Sequence, residues 1–132
     1  MRRTVYSNTR ALQAVPPAGL RTNGTVNGTT IDRWSNPVYF SSVMFVVHTG
    51  TVTDGSHAVA VQESDNGSAW SAAAAGDVQG TAPTITSANG NTAYEVGYVG
   101  SKRYTRITLT TSGATTGGFV DAVAICGIQP TR

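Results

Sequence analysis

The chain has 132 residues, nine basic and seven acidic side chains, two histidines and a single cysteine. That length suits one domain with one core, and a lone cysteine excludes both an internal disulfide framework and a zinc site built on several thiolates. No run approaches the roughly 20 apolar residues of a membrane span, and no apolar stretch of signal-peptide type follows the two N-terminal arginines; the expectation is a soluble protein made in a cytoplasm.

Charge is spread unevenly. Arg2, Arg3, Arg10 and Arg21 lie in the first 21 residues with no acid among them, whereas the remainder carries five basic residues against seven acids. With Pro16-Pro17 favouring extended backbone and "RTNGTVNGTT" (21–30) reading as a hinge, residues 1–28 are expected to form an extended arm. Residues 29–132 then form the folded domain. Within the arm only "TVYS" (4–7) has strand character.

Strand signals follow in order. "TTIDRW" (29–34) is a first candidate and "PVYFSSVMFVVHTG" (37–50) a long second one. In the latter Val43, Phe45 and Val47 share one face while Met44 and Val46 share the other, which predicts a strand covered on both sides and hence an oligomer. Asp54-Gly55 turns the chain into "HAVAVQES" (57–64), with Val59 and Val61 inward. "SAWSAAAAG" (68–76) reads as a loop with a short turn stopped by Gly76. Asn89-Gly90 and Gly100-Ser101 each predict a hairpin, the second with a type II′ turn. Past it Ile107 and Leu109 point inward and Tyr104 and Arg106 outward. "GGFVDAVAICGI" (117–128) is the last strand, where Cys126 is a buried, inert thiol. Short strands divided by turns mark an all-β, two-sheet antiparallel β-sandwich, jelly-roll-like rather than immunoglobulin-like.

No reactive centre emerges. His48, His57 and Asp54 flank one turn, but a zinc site needs a further ligand and a serine triad a defined spacing, so water-facing turn histidines are expected. "ESDNGS" lacks the spaced acids of a calcium loop. No helix follows a glycine-rich loop, and no carboxylate pair stands out for glycosidase chemistry. The reading is a non-enzymatic protein without cofactor or metal. Lys102, Arg103 and Arg106 interleave with Tyr98 and Tyr104 in the manner of single-strand binders. The acidic balance of the body favours a charged hairpin end instead, and nucleic acid is not expected as a partner. "VQESDNGSAWSAA" is similar to the turn-and-tryptophan pattern of carbohydrate-binding sandwiches, in which the tryptophan packs a hairpin. Trp34 and Trp70 are far apart in sequence, so no row of aromatics is evident.

Three segments in order, "QESDNGSAW", "DVQGTAP" and "YEVGYVGSKRYTRITLT", lie between Asp54 and Thr110. That stretch resembles small virion structural proteins of tailed bacteriophages, including capsid decoration (cement) proteins; the N-terminal segment is not covered. The resemblance implies a virion location and binding to the major capsid protein, which stabilises contacts between capsomers, with self-association as a dimer or trimer. It leaves head-completion and tail-associated proteins open, beside a carbohydrate-binding module. The partner-binding candidates are Arg2, Arg3, Tyr6, Arg10 and Arg21 in the arm, and Lys102, Arg103 and Arg106 in the body.

Overall fold

The computed structural model describes residues 4–34 and 39–128. A single helical turn, α1 (Val5–Asn8), precedes β1 (Thr9–Val15), β2 (Gly24–Asn27), β3 (Ile31–Asp32), β4 (Phe40–Val52) and β5 (Ser56–Ser64). Then come β6 (Ser71–Ala72), a 3₁₀ turn (Ala75–Asp77), β7 (Val78–Gln79), β8 (Thr84–Ile85), β9 (Ala93–Tyr98), β10 (Tyr104–Ser112) and β11 (Gly118–Ile128). Two antiparallel sheets pack face to face. The first runs β1-β11-β4-β9-β7; the second runs β2-β10-β5-β6, with β3 also on β10 and β8 on β5.

The pairing is nested. First pairs with last (β1 with β11), then β2 with β10, β4 with β9, and β5 with β6. A folded-over ribbon paired in this way and rolled into two layers is a jelly roll. The core between the layers follows the period-two pattern: Val43, Phe45, Val47, Val59, Val61, Ile107 and Leu109 are all buried, as expected, and Cys126 lies among them.

Rolling the ribbon corrects several local expectations. Gly100-Ser101 does not close a hairpin, because β9 belongs to the first sheet and β10 to the second. Gly100 does not have positive φ either; its role is space, since a Cβ there would run into the Tyr98 ring and hydroxyl. Asn89-Gly90 likewise joins β8 and β9 across sheets. Its turn chemistry is real, with Asn89 Oδ1 accepting the Thr86 N–H at 2.6 Å, but it redirects the chain from one layer to the other. The turn in the alanine run falls around Gly76 rather than before it.

The arm expected over residues 1–28 is also corrected. Thr9–Val15 is an edge strand of the first sheet with Ala14 and Val15 buried, and Gly24–Asn27 an edge of the second. Pro16-Pro17 lies in the passage between them, and the backbone of Arg21 bridges to Gly118. "TVYS" is no strand: Thr4 and Ser7 cap each other's backbone N–H groups and start α1 instead. No helix among the described residues is long and apolar enough to cross a membrane.

Candidate functional site

The outer face of the first sheet is unusual for a face exposed to water. Its register aligns Ala11, Ile125, Met44 and Gly97 in one row, and Gln13, Val123, Val46 and Glu95 in the next. Val123 is 42% exposed and Phe119, further along β11, 44%. An antiparallel sheet with one solvated face ordinarily alternates apolar-in with polar-out; here Met44 and Val46 of β4 and Phe119, Val123 and Ile125 of β11 put apolar groups on the outer side as well, interrupted by the His48–Asp121 pair. Gly97 and Gly127 carry no side chain on this face, which leaves a shallow groove of about 390 Å³ beside Met44 and Ile125. The double-sided pattern read from residues 37–50 thus becomes a surface.

Along the β1 edge, Tyr6 is 94% exposed and lines a second depression with Val5, Arg10 and Ile128. Tyr6 and Arg10 are therefore surface groups on one side of the molecule. Arg21 is not free: its Nε donates to the Val120 carbonyl at 3.1 Å and its Nη2 to Pro16 O. It ties the β1–β2 passage to β11. Arg2 and Arg3 lie outside the described residues.

Lys102, Arg103 and Arg106 do gather at one end of the second sheet, each already engaged. Lys102 Nζ donates to Asp65 at 2.8 Å, which raises its pKa. Arg103 grips Asp32 with two parallel bonds of 2.9 and 3.0 Å while lying over Tyr104. That guanidinium holds the Asp32 carboxyl below the usual carboxylate range. Arg106 stacks 4.2 Å from the Trp70 ring centre and donates Nε to Gln62 at 2.9 Å. Tyr98, expected among these surface aromatics, is instead buried. Its hydroxyl donates to Glu63 at 2.8 Å, and burial, with that bond, pushes its pKa up to about 12.

Sequence reasoning missed Arg33. It is only 5% exposed, and its Nη1 and Nε donate to the carbonyls of Gly100 and Lys102 at 3.1 and 3.3 Å. Its own backbone receives Phe40 N–H and donates to Arg103 O. This staple ties the 99–103 loop to Arg33 and, through the Arg33 carbonyl, to Phe40, and nothing in residue spacing signals it.

The histidines separate. His48 is exposed on the first sheet, its Nδ1 3.9 Å from Asp121. His57 is not water-facing as expected but buried in the second sheet, between Thr111 Oγ1 and the Asp54 carbonyl. The Asp54 carboxylate turns away to accept the N–H groups of Thr115, Thr116 and Gly117, which lower its pKa. No group of three or more His, Cys, Asp or Glu converges among the described residues.

No protein-family model matches the chain, and no curated protein matches it. Among solved structures, the crystal structure of the PBSX exported protein XepA superposes with a TM-score of 0.62 at 15% identity. The superposition covers 100% of this chain and 40% of that one. The chain is similar to that protein in fold and spans less than half of its length.

Proposed function

We propose that this is a non-enzymatic virion structural protein that decorates a phage capsid, seating the outer face of its first sheet on the major capsid protein. One observation carries the reading: the apolar rows of β4 and β11, Ile125 beside Met44 and Val123 beside Val46, with Val123 exposed among them and Phe119 exposed beyond the Asp121–His48 pair. An exposed apolar patch rimmed by polar groups, here Gln13, Glu95, His48 and Asp121, marks an interaction site. Tyr6 and Arg10 line a separate depression at the β1 edge, with Arg10 on the side of the sheet shared by its register partner Cys126, so the outer face itself carries the reading. The resemblance of residues 54–110 to phage virion proteins supports the setting, and the jelly-roll fold shared with the PBSX exported protein is compatible with it. On the shell, copies associate as dimers or trimers across a capsomer seam, adding buried surface where packaged DNA pushes outward.

The test is co-sedimentation with purified DNA-free shells. Val123→Asp places an unpaired carboxylate at the centre of the face. It should weaken shell binding by roughly a hundredfold while leaving the melting temperature of the isolated protein within about 2 °C of the parent, since Val123 faces outward. Equal binding by the two proteins overturns the assignment of this face.

A further inference from the structure

The opposite side of the sandwich carries a second surface of different chemistry. On the outer face of the second sheet the register aligns Asp32, Tyr104 and Ser64 in one row and Arg106, Gln62 and Ala72 in the next. At one end of this strip stand Trp34 and Tyr39, 47% and 48% exposed. The backbone N–H of Trp34 donates to Asp32 Oδ1 at 3.0 Å. Tyr39 directly precedes Phe40, whose N–H donates to the Arg33 carbonyl at 2.8 Å. At the other end Trp70 lies against Arg106. From β3 across β10 and β5 to β6 is three ladder spacings, about 14 Å.

Three features of the strip bear on what it binds. Two of its exposed cations are paired in place, Arg103 with Asp32 and Lys102 with Asp65; this leaves Arg106, bonded to the neutral Gln62, as a single unpaired cation, where polyanion binding draws on several. Its planar hydrogen-bonding groups are only partly used. Arg103 Nη1, both Arg106 Nη atoms, and the Tyr104 and Tyr39 hydroxyls have no hydrogen-bond partner among the described residues. Finally, the strip is held rigid. The buried Arg33 staple, the bidentate Arg103–Asp32 pair and the Asn66 turn, whose Gly67 sits against the Tyr104 ring, fix its loops before any ligand arrives. Burying an arginine against carbonyl groups is costly, and such support is what a site gains from preorganisation.

Exposed aromatic platforms, separated by oriented donors and acceptors with little net charge, match the alternating apolar faces and hydroxyl edges of a sugar chain. We propose that this strip binds a neutral oligosaccharide, with Trp34 and Tyr39 as stacking platforms and Arg103, Asp32 and Arg106 as hydroxyl partners. The strip and the apolar face lie on opposite sides of the sandwich, so a protein seated on a shell by its first sheet presents the strip outward. The sugar site does not depend on that seating.

The experiment is a tryptophan-fluorescence and chemical-shift titration of the isolated full chain with neutral hexose and N-acetylhexosamine tetra- to hexasaccharides, each at up to 10 mM, at two salt concentrations. Saturable binding that is indifferent to salt is expected. Trp34→Ala and Tyr39→Ala should each weaken it by roughly tenfold or more, with unchanged melting temperature because both side chains are exposed. His48→Ala, on the other face, should bind like the parent. Absence of binding to every saccharide overturns the proposal, as does binding that survives both aromatic substitutions. Binding only to an anionic polymer such as heparin or single-stranded DNA, falling steeply with salt, overturns it in favour of a charge-driven surface. Because the assay contains no shells, either outcome leaves the capsid reading to its own test.

Discussion

Replacing Gly100 with alanine would drive a methyl group into the Tyr98 ring, inside contact distance of the hydroxyl and two ring carbons. The ring has nowhere to go: it is fully buried, its hydroxyl bonded to Glu63 and to the Lys102 N–H at 2.8 and 3.2 Å. The loop must shift instead, which pulls the Gly100 carbonyl away from Arg33 Nη1. Overpacking costs about 1–3 kcal/mol, and a lost hydrogen bond to a charged group about 1.5–3 kcal/mol. The two together come to about 2.5–6 kcal/mol, a large share of a typical total of about 5–15 kcal/mol. For a domain of this size the melting temperature should fall by about 10 °C or more. Thermal unfolding followed by circular dichroism reads this directly. The cost should also be coupled to the ring: in a Tyr98→Leu background, Gly100→Ala should cost less than about 1 kcal/mol more. A single Gly100→Ala variant melting within 2 °C of the parent, or full additivity with Tyr98→Leu, refutes the reasoning.

Three further outcomes follow from the structure. Phe45→Ala should destabilise by about 3–5 kcal/mol because the ring fills the centre of the core, measured by urea unfolding. The Cys126 thiol, buried and pushed up to about 11, should stay unreactive to an aromatic disulfide reagent at pH 8 until the protein is unfolded, and then titrate as one thiol. Stability should depend on pH at both extremes. Asp32 and Asp54 are held low by hydrogen bonds from Arg103 and from Gly117 N–H; such depressed groups stabilise above their unfolded pKa near 4, and that contribution is lost as pH falls below it. Tyr98 is raised, so its contribution is present below its unfolded pKa near 10 and lost as pH climbs toward 12. Melting temperature should fall at both the acid and the alkaline limb, and Asp54→Asn should flatten the acid limb.

The core was legible because burial in a sandwich imposes a period of two, and Val43, Phe45, Val47, Ile107 and Leu109 display it without interruption. The turns were legible as turns but not as connections. Asp54-Gly55, Asn89-Gly90 and Gly100-Ser101 mark where the chain reverses, yet each carries it from one sheet to the other, and the same turn chemistry would serve a hairpin within a sheet. β1 escaped notice because "ALQAV" has little intrinsic strand preference; pairing along β11 and burial of Ala14 and Val15 decide its conformation. For that reason, deleting residues 2–21 removes an edge of the sandwich rather than a detachable tether. The basic cluster was visible as a cluster but not as neutralised, since Asp65 and Asp32 lie 37 and 71 positions from their partners. Trp34 and Trp70, far apart in sequence, reach one sheet end through the β3–β10–β5–β6 pairing.

Locating the protein in a purified phage particle by electron cryomicroscopy tests the central claim most directly. The account predicts jelly-roll density on the outer surface of the head, at a copy number set by the shell's symmetry. Phe119 and Val123 should be seated on the major capsid protein, with the strip bearing Trp34 and Tyr39 facing solvent. Density in the tail, or on the head with the apolar face of the first sheet turned outward, would contradict it.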